Sequence, residues 1–134
     1  MQSQPTIGLT TYLQTDFETA VQRVSAALKT EGFGILTEID VKDTFKKKLD
    51  VDFRRYSIFG ACNPSLAYRA LTAEPEAGLL LPCNVTVAQM EDDRIQVAIV
   101  NPLAMMNVIP NEGLTMIAQE ARERLDRVLE ALEV

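Results

Sequence analysis

Two cysteines are the residues of this sequence best suited to carry chemistry. Cys62 directly precedes Asn63-Pro64, a pair typical of a helix start, and the free N–H groups of a helix N-terminus stabilise a nearby thiolate. Cys83 follows Pro82 near the start of a predicted strand, and each cysteine is followed by an asparagine. We therefore hypothesise a thiol pair, or a pocket lined by thiols, with Cys62, Asn63 and Cys83 as the candidate ligand site.

The same residues also have explanations that involve no chemistry. Free cysteine is among the most buried residue types and packs as a small hydrophobe. Cys83 alternates in phase with Val85 and Val87, which favours a core position. Asn63 is explained by helix capping alone. Three interpretations of the cysteines therefore stay open: inert core residues, reactive or ligand-facing thiols, and a disulfide.

The absence of histidine excludes the common catalytic and metal-binding arrangements. Without histidine there is no Ser-His-Asp or Cys-His nucleophile, and no site of the usual His-based zinc or haem type. The methionine pair Met105-Met106 is better explained by core or interface filling than by a soft-metal site. We assign no catalytic residue, no metal site and no cofactor, and we leave open whether the protein is an enzyme, favouring that it is not.

Length and charge bound the class of protein. The 134 residues are the usual size of one domain, which we expect to span 1–134. The net charge of −6 argues against nucleic-acid binding, which relies on basic surfaces. No apolar stretch reaches the roughly 18 residues of a membrane helix, and the first residues do not resemble a secretory signal. These features predict a cytoplasmic protein with no membrane association.

Apolar periodicity and turn residues predict the element order β-α-β-(α)-β-α-β-β-α. The predicted strands span residues 6–13, 33–39, 51–60, 79–90 and 95–100, and helix caps stand at Asp16, Asp40, Asn63 and Asn111. The pattern predicts an α+β fold: a single, mostly antiparallel sheet of about five strands with two long helices packed on one face.

Three details of this prediction bear on function. The short helix after Asp40 has apolar residues at period four, Val41, Phe45 and Leu49, which we expect to face inward. The third strand changes phase between Phe53 and Tyr56, which predicts either a bulge or a strand buried on both faces. The run Leu79-Leu80-Leu81 is predicted to open the fourth strand and to form a dimer or partner surface.

Three stretches resemble the signature segments of a bacterial and archaeal family called domain of unknown function 302: Leu49–Tyr56, Phe59–Pro64 and Gly78–Val85. The resemblance covers nearly the whole chain. It implies a TATA-binding-protein-like fold, in which a curved antiparallel sheet is backed by helices, and it makes a homodimer plausible. Only the positions of the two motif cysteines, Cys62 and Cys83, carry over from the family, because fold does not fix function.

The function predicted from these observations is a homodimeric small-molecule or partner-binding protein with a pocket near Cys62 and Cys83. One alternative is a thiol-dependent redox or sulfur-handling protein that uses the two cysteines. The other is a structural or regulatory interaction module. A concave pocket favours the first, two exposed sulfurs within bridging distance favour the second, and an exposed apolar patch favours the third.

Overall fold

A computed structural model describes residues 6–133 of the chain. Its strands are β1 (Gly8–Leu13), β2 (Gly34–Asp40), β3 (Tyr56–Cys62), β4 (Cys83–Gln89) and β5 (Ile95–Val100). Its helices are α1 (Phe17–Thr30), α2 (Val41–Leu49), α3 (Pro64–Ala73), α4 (Pro102–Met106) and α5 (Glu112–Leu132), with a 3-10 helix at Pro75–Leu80.

The strands form one antiparallel sheet in the order β1-β5-β4-β3-β2. The α+β class, the five strands and the antiparallel pairing are therefore confirmed. β1 and β2 are the edge strands of the sheet. Among residues 6–133, no helix is long and apolar enough to cross a membrane.

One face of the sheet is buried beneath α1 and α5. Alternate residues of β4 and β5 point into this layer, where Val85 pairs with Ile99 and Val87 with Val97, and all four are fully buried. The predicted apolar stripe of α5 is buried as well; it comprises Leu114, Ile117, Ala118, Ala121, Leu125, Val128 and Leu132. Burial of each large apolar side chain contributes about 1.5–3 kcal/mol, so this layer holds the helices on the sheet.

Side-chain caps fix where the helices begin, as predicted. The Oδ1 of Asp16 accepts a hydrogen bond from the backbone N–H of Thr19 at 2.8 Å, and Asp40 does the same for Asp43 at 2.9 Å. Asn111 caps α5 in the same way. These bonds satisfy N–H groups that have no partner within the helix.

Residues 34–55, which we call the arm, comprise β2, α2 and the segment that leads into β3. None of its 22 residues is buried. The prediction that Val41, Phe45 and Leu49 face inward is wrong: the first two are half-exposed and Leu49 is 64% exposed. The reason is position, because α2 packs on β2 and β3 at the sheet edge rather than in the layer formed by α1 and α5.

Two strand boundaries and the bulge also differ from the prediction. The third strand begins only at Tyr56, and the register shift lies in β2, between Ile35 and Thr37. The run Leu79-Leu80-Leu81 was predicted to open the fourth strand, but it lies at the end of the 3-10 helix Pro75–Leu80. Pro75 starts this turn, and Pro82 lacks the N–H group needed to extend the strand ladder. Leu79 is left 81% exposed by this turn.

Candidate functional site

The three predicted site residues lie together at one end of the sheet. Cys62 ends β3, Asn63 is the N-cap of α3, and Cys83 begins β4. Ala61 pairs with Cys83 across the two strands, so the two cysteines are one residue out of register on neighbouring strands. All three residues line one cavity of about 40 Å³.

This cavity, which we call the cysteine cavity, is small and apolar. Besides the predicted residues its lining includes Phe33, Leu66, Ala70, Pro82, Met106 and Ile117. Its volume has room for about two or three water molecules, whereas small-molecule pockets measure roughly 300–1,000 Å³. In this conformation the cysteine cavity therefore accepts only a few non-hydrogen atoms.

The backbone closes tightly beside the cysteine cavity. A Cβ atom added at Gly60 would lie 2.7 Å from the Cγ of Pro82 and would also collide with the hydroxyl of Thr37. Only a glycine permits β2, β3 and the residue before β4 to approach this closely. This contact lies on the face of the sheet opposite to Cys83, because Gly60 pairs with Asn84 whereas Cys83 pairs with Ala61.

No disulfide joins Cys62 to Cys83 in this structure, and the surroundings of Cys83 favour its protonated form. Burial raises the pKa of the Cys83 thiol to about 11, and the neighbouring Cys62 adds to the rise. Because the thiolate is the nucleophile, this environment suppresses reactivity at neutral pH. One of the N-terminal N–H groups of α3 that the sequence offers to a Cys62 thiolate, that of Leu66, is capped instead by Asn63.

Both the oxygen and the nitrogen of the Asn63 side chain form hydrogen bonds with other residues of the protein. Its Oδ1 accepts from the N–H of Leu66 at 3.2 Å, and its Nδ2 donates to the carbonyl oxygen of Glu31 at 3.3 Å. The same carbonyl accepts from the guanidinium of Arg124 at 3.2 Å. Asn63 thus ties the ends of α1 and α3 to α5, which is a structural role.

A second concavity, which we call the polar cleft, has a volume of about 300 Å³ and was not predicted. It opens where the first turns of α1 pass over β2 and β3. Its lining includes Glu18, Val21, Glu38, Asp40, Arg55 and Ser57. The only sequence signal for it is that Glu38 and Asp40 share one face of a strand. The other residues are dispersed along the chain.

The cations at the polar cleft are already engaged. Arg55 forms an ion pair with Glu18 at 2.5 Å and lies 4.2 Å from the centre of the Phe17 ring. The hydrogen bond from Arg55 lowers the pKa of the Glu18 carboxyl. Lys42 donates to the carbonyl oxygen of Phe53 at 2.9 Å. Neither cation is therefore available to Glu38.

Comparison with known proteins identifies first the fold of the chain and then its family. The sheet and its helical layer match the crystal structure of an uncharacterized conserved DUF302 protein from Bacillus stearothermophilus, with a TM-score of 0.88 and 26% sequence identity. That match covers 96% of this chain and 99% of the other. The model of the family described as domain of unknown function DUF302 matches residues 9–132. The chain belongs to this family, as its motifs predicted. No curated protein matches it significantly.

Proposed function

We propose that this protein is a binding domain that works as a homodimer, and that the arm is its contact surface. The observation that carries the proposal is that an amphipathic helix and an edge strand fold without burying one residue. The apolar side chains exposed there are Leu36, Ile39, Leu49, Val51 and Phe53. A concentration of exposed apolar side chains in one segment is typical of an interaction site.

The arm has the size and composition of a protein interface. Standard interfaces use roughly 20–30 residues on each side, and the arm supplies 22. Aromatic residues are enriched in interface cores, and Phe45 packs edge to face on Phe53 with ring centres 5.1 Å apart. Tyr56 continues this aromatic cluster, with its ring centre 6.2 Å from that of Phe53.

The charges of the arm favour a second copy of the same chain as the partner. The basic run Lys46-Lys47-Lys48 and Asp43 lie on α2, and two further acidic residues, Asp50 and Asp52, follow directly after it. A two-fold interface brings the same patch of two copies together, so cations of one copy can face carboxylates of the other. The present ion pairs, such as Lys47 with Asp43 at 2.9 Å, are exposed and therefore weak, which makes them easy to exchange.

The edge strand supports the same partner. β2 pairs with β3 along one side, and in the order of the sheet no strand of residues 6–133 follows it on the other. Unpaired N–H and C=O groups on an edge strand are a template for pairing with another strand. Antiparallel pairing of β2 with its copy satisfies these groups and is compatible with two-fold symmetry.

The thiol-dependent alternative has less support. The protonated state of Cys83 and the small volume of the cysteine cavity both weigh against a redox or sulfur-handling role. The interaction-module alternative uses the same surface as our proposal. It differs in predicting that the isolated chain is a monomer and that this surface binds a different protein.

Light scattering after size exclusion tests the proposal. We expect wild type to have twice the 14.9 kDa mass of one chain, and Leu49→Asp to shift it to the monomer. Leu79→Asp is the matched control, because it places the same charge on an exposed leucine outside the arm. A monomeric wild type at about 100 µM, well above the Kd of stable dimers, overturns the proposal. If only Leu79→Asp converts the dimer to a monomer, the dimer interface lies at the surface around Leu79 and not on the arm.

A further inference from the structure

We infer that the polar cleft binds a small organic cation, namely a primary ammonium group carried on a short aliphatic chain. This inference rests on the proposed binding function but not on dimerisation. The cleft volume of about 300 Å³ lies at the lower end of small-molecule sites, which suits a ligand of a few carbon atoms.

Ser57 is the observation that points to a ligand. Its side chain is only 5% exposed, it lines the cleft, and its hydroxyl makes no hydrogen bond within residues 6–133. A hydroxyl of so buried a residue normally has a partner, so this one is free to bond to a ligand, or to water, in the cleft. The register orients it, since Ser57 pairs with the buried Val87 and therefore faces the same side of the sheet as the cleft.

The carboxylates beside Ser57 determine the charge of that ligand. Asp40 pairs directly with Ser57 across β2 and β3, and Glu38 lies two residues earlier on the same face. Glu38 has no ion pair or hydrogen bond from its side chain within the described residues 6–133. Asp40 uses one oxygen to cap α2, which leaves the other as an acceptor. An ammonium group has three N–H donors, one for each of these acceptors.

An anionic ligand fits less well. The carboxylates of Glu18, Glu38 and Asp40 outnumber the cations of Lys42 and Arg55 by one, and both cations already have partners. The positive end of the α1 dipole points toward this region, but Glu18 in the first turn and the cap Asp16 offset it.

The wall opposite the carboxylates accommodates the aliphatic chain. Phe17 and Val21, one turn apart on α1, are the apolar aliphatic and aromatic residues of the cleft lining on that helix. A chain of about four carbons laid along this wall places its ammonium group at the Glu38, Asp40 and Ser57 side. The cleft thus combines an apolar body with a few converging polar groups, which is the usual composition of a small-molecule site.

Isothermal titration with n-butylamine tests this inference, with butyrate and n-butanol as charge-reversed and neutral controls of the same chain length. We expect saturable binding of the amine alone. Loss of a charge-assisted hydrogen bond makes Glu38→Gln bind about tenfold more weakly, and Ser57→Ala reduces affinity by a smaller factor. Glu91→Gln, at an exposed carboxylate in a distant turn, is the matched control and leaves binding unchanged.

Absence of butylamine binding to folded wild type, equal binding of n-butanol, or unchanged binding to Glu38→Gln overturns the inference. Circular dichroism melting confirms that each variant is folded. The titration is repeated on the Leu49→Asp variant, so that failure of dimerisation and failure of amine binding are read separately. If a monomeric protein binds the amine, the amine site is supported and the dimer proposal fails. If a dimeric protein does not bind the amine, the dimer proposal is supported and the amine site is refuted.

Discussion

Gly32 and Asn63 pack so closely that a side chain at the first would collide with the second. Gly32 has a φ of +85°, and a Cβ atom added there would lie 2.9 Å from the Nδ2 of Asn63. This contact joins the end of α1 to the start of α3, beside the cysteine cavity. The candidate thiol site is therefore framed by a rigid corner whose conformation depends on glycine.

Replacing Gly32 with alanine should destabilise the fold by about 1–3 kcal/mol, because the left-handed backbone and the contact with Asn63 both penalise a Cβ. Gly34→Ala is the matched control, since nothing lies within 4 Å of its added Cβ and its φ is not positive. That control should be neutral or stabilising by up to about 1 kcal/mol. Urea unfolding measures both, and equal stability of the two variants would contradict the packing described.

Replacing Asn63 separates its two hydrogen bonds. Asn63→Ala removes both the cap of α3 and the bond to the Glu31 carbonyl, and should cost about 1–2 kcal/mol. Asn63→Asp keeps an acceptor for the N–H of Leu66 and should lose less. Chemical unfolding compares the two, and an aspartate variant as unstable as the alanine variant would show that the cap is not the main contribution.

The buried Cys83 thiol makes stability depend on alkaline pH. Its pKa is raised from an ordinary 9.0 to about 11, so above pH 9 the unfolded chain loses this proton while the folded protein keeps it. Unfolding then becomes more favourable as pH rises. We expect wild type to lose about 2 kcal/mol relative to Cys83→Ala between pH 8 and pH 11.

Urea titrations of wild type and Cys83→Ala at a series of pH values measure this difference. Subtracting the variant removes the contribution of lysine and tyrosine groups, which titrate in the same range. A difference that stays constant across the series would mean that Cys83 is solvated and ionises normally. In that case the thiol-dependent alternative would regain support.

Local signals in the sequence were sufficient for much of the fold. β5 has the predicted bounds, and the α5 stripe is buried as its spacing predicts. The caps Asp16 and Asn63 begin helices because a side-chain oxygen followed by free N–H groups is a local arrangement. These predictions needed no knowledge of distant contacts.

The errors arose where burial depends on the rest of the molecule. The spacing of Phe45 and Leu49 gives an amphipathic helix correctly, but it cannot say whether the same chain covers the apolar face. The polar cleft was missed because Ser57 and Glu38 come from different strands and neither is unusual alone. The cysteine positions were identified, but their small cavity depends on how tightly β3 and β4 close.

The most direct test of the arm as a dimer surface is amide hydrogen exchange on wild type and on Leu49→Asp. We expect residues 34–55 to exchange more slowly in wild type, because a second copy covers them, whereas the segment 68–80 exchanges at the same rate in both proteins. Equal rates across residues 34–55 in the two proteins would contradict it, since the exposed face of α2 would then have no partner in solution.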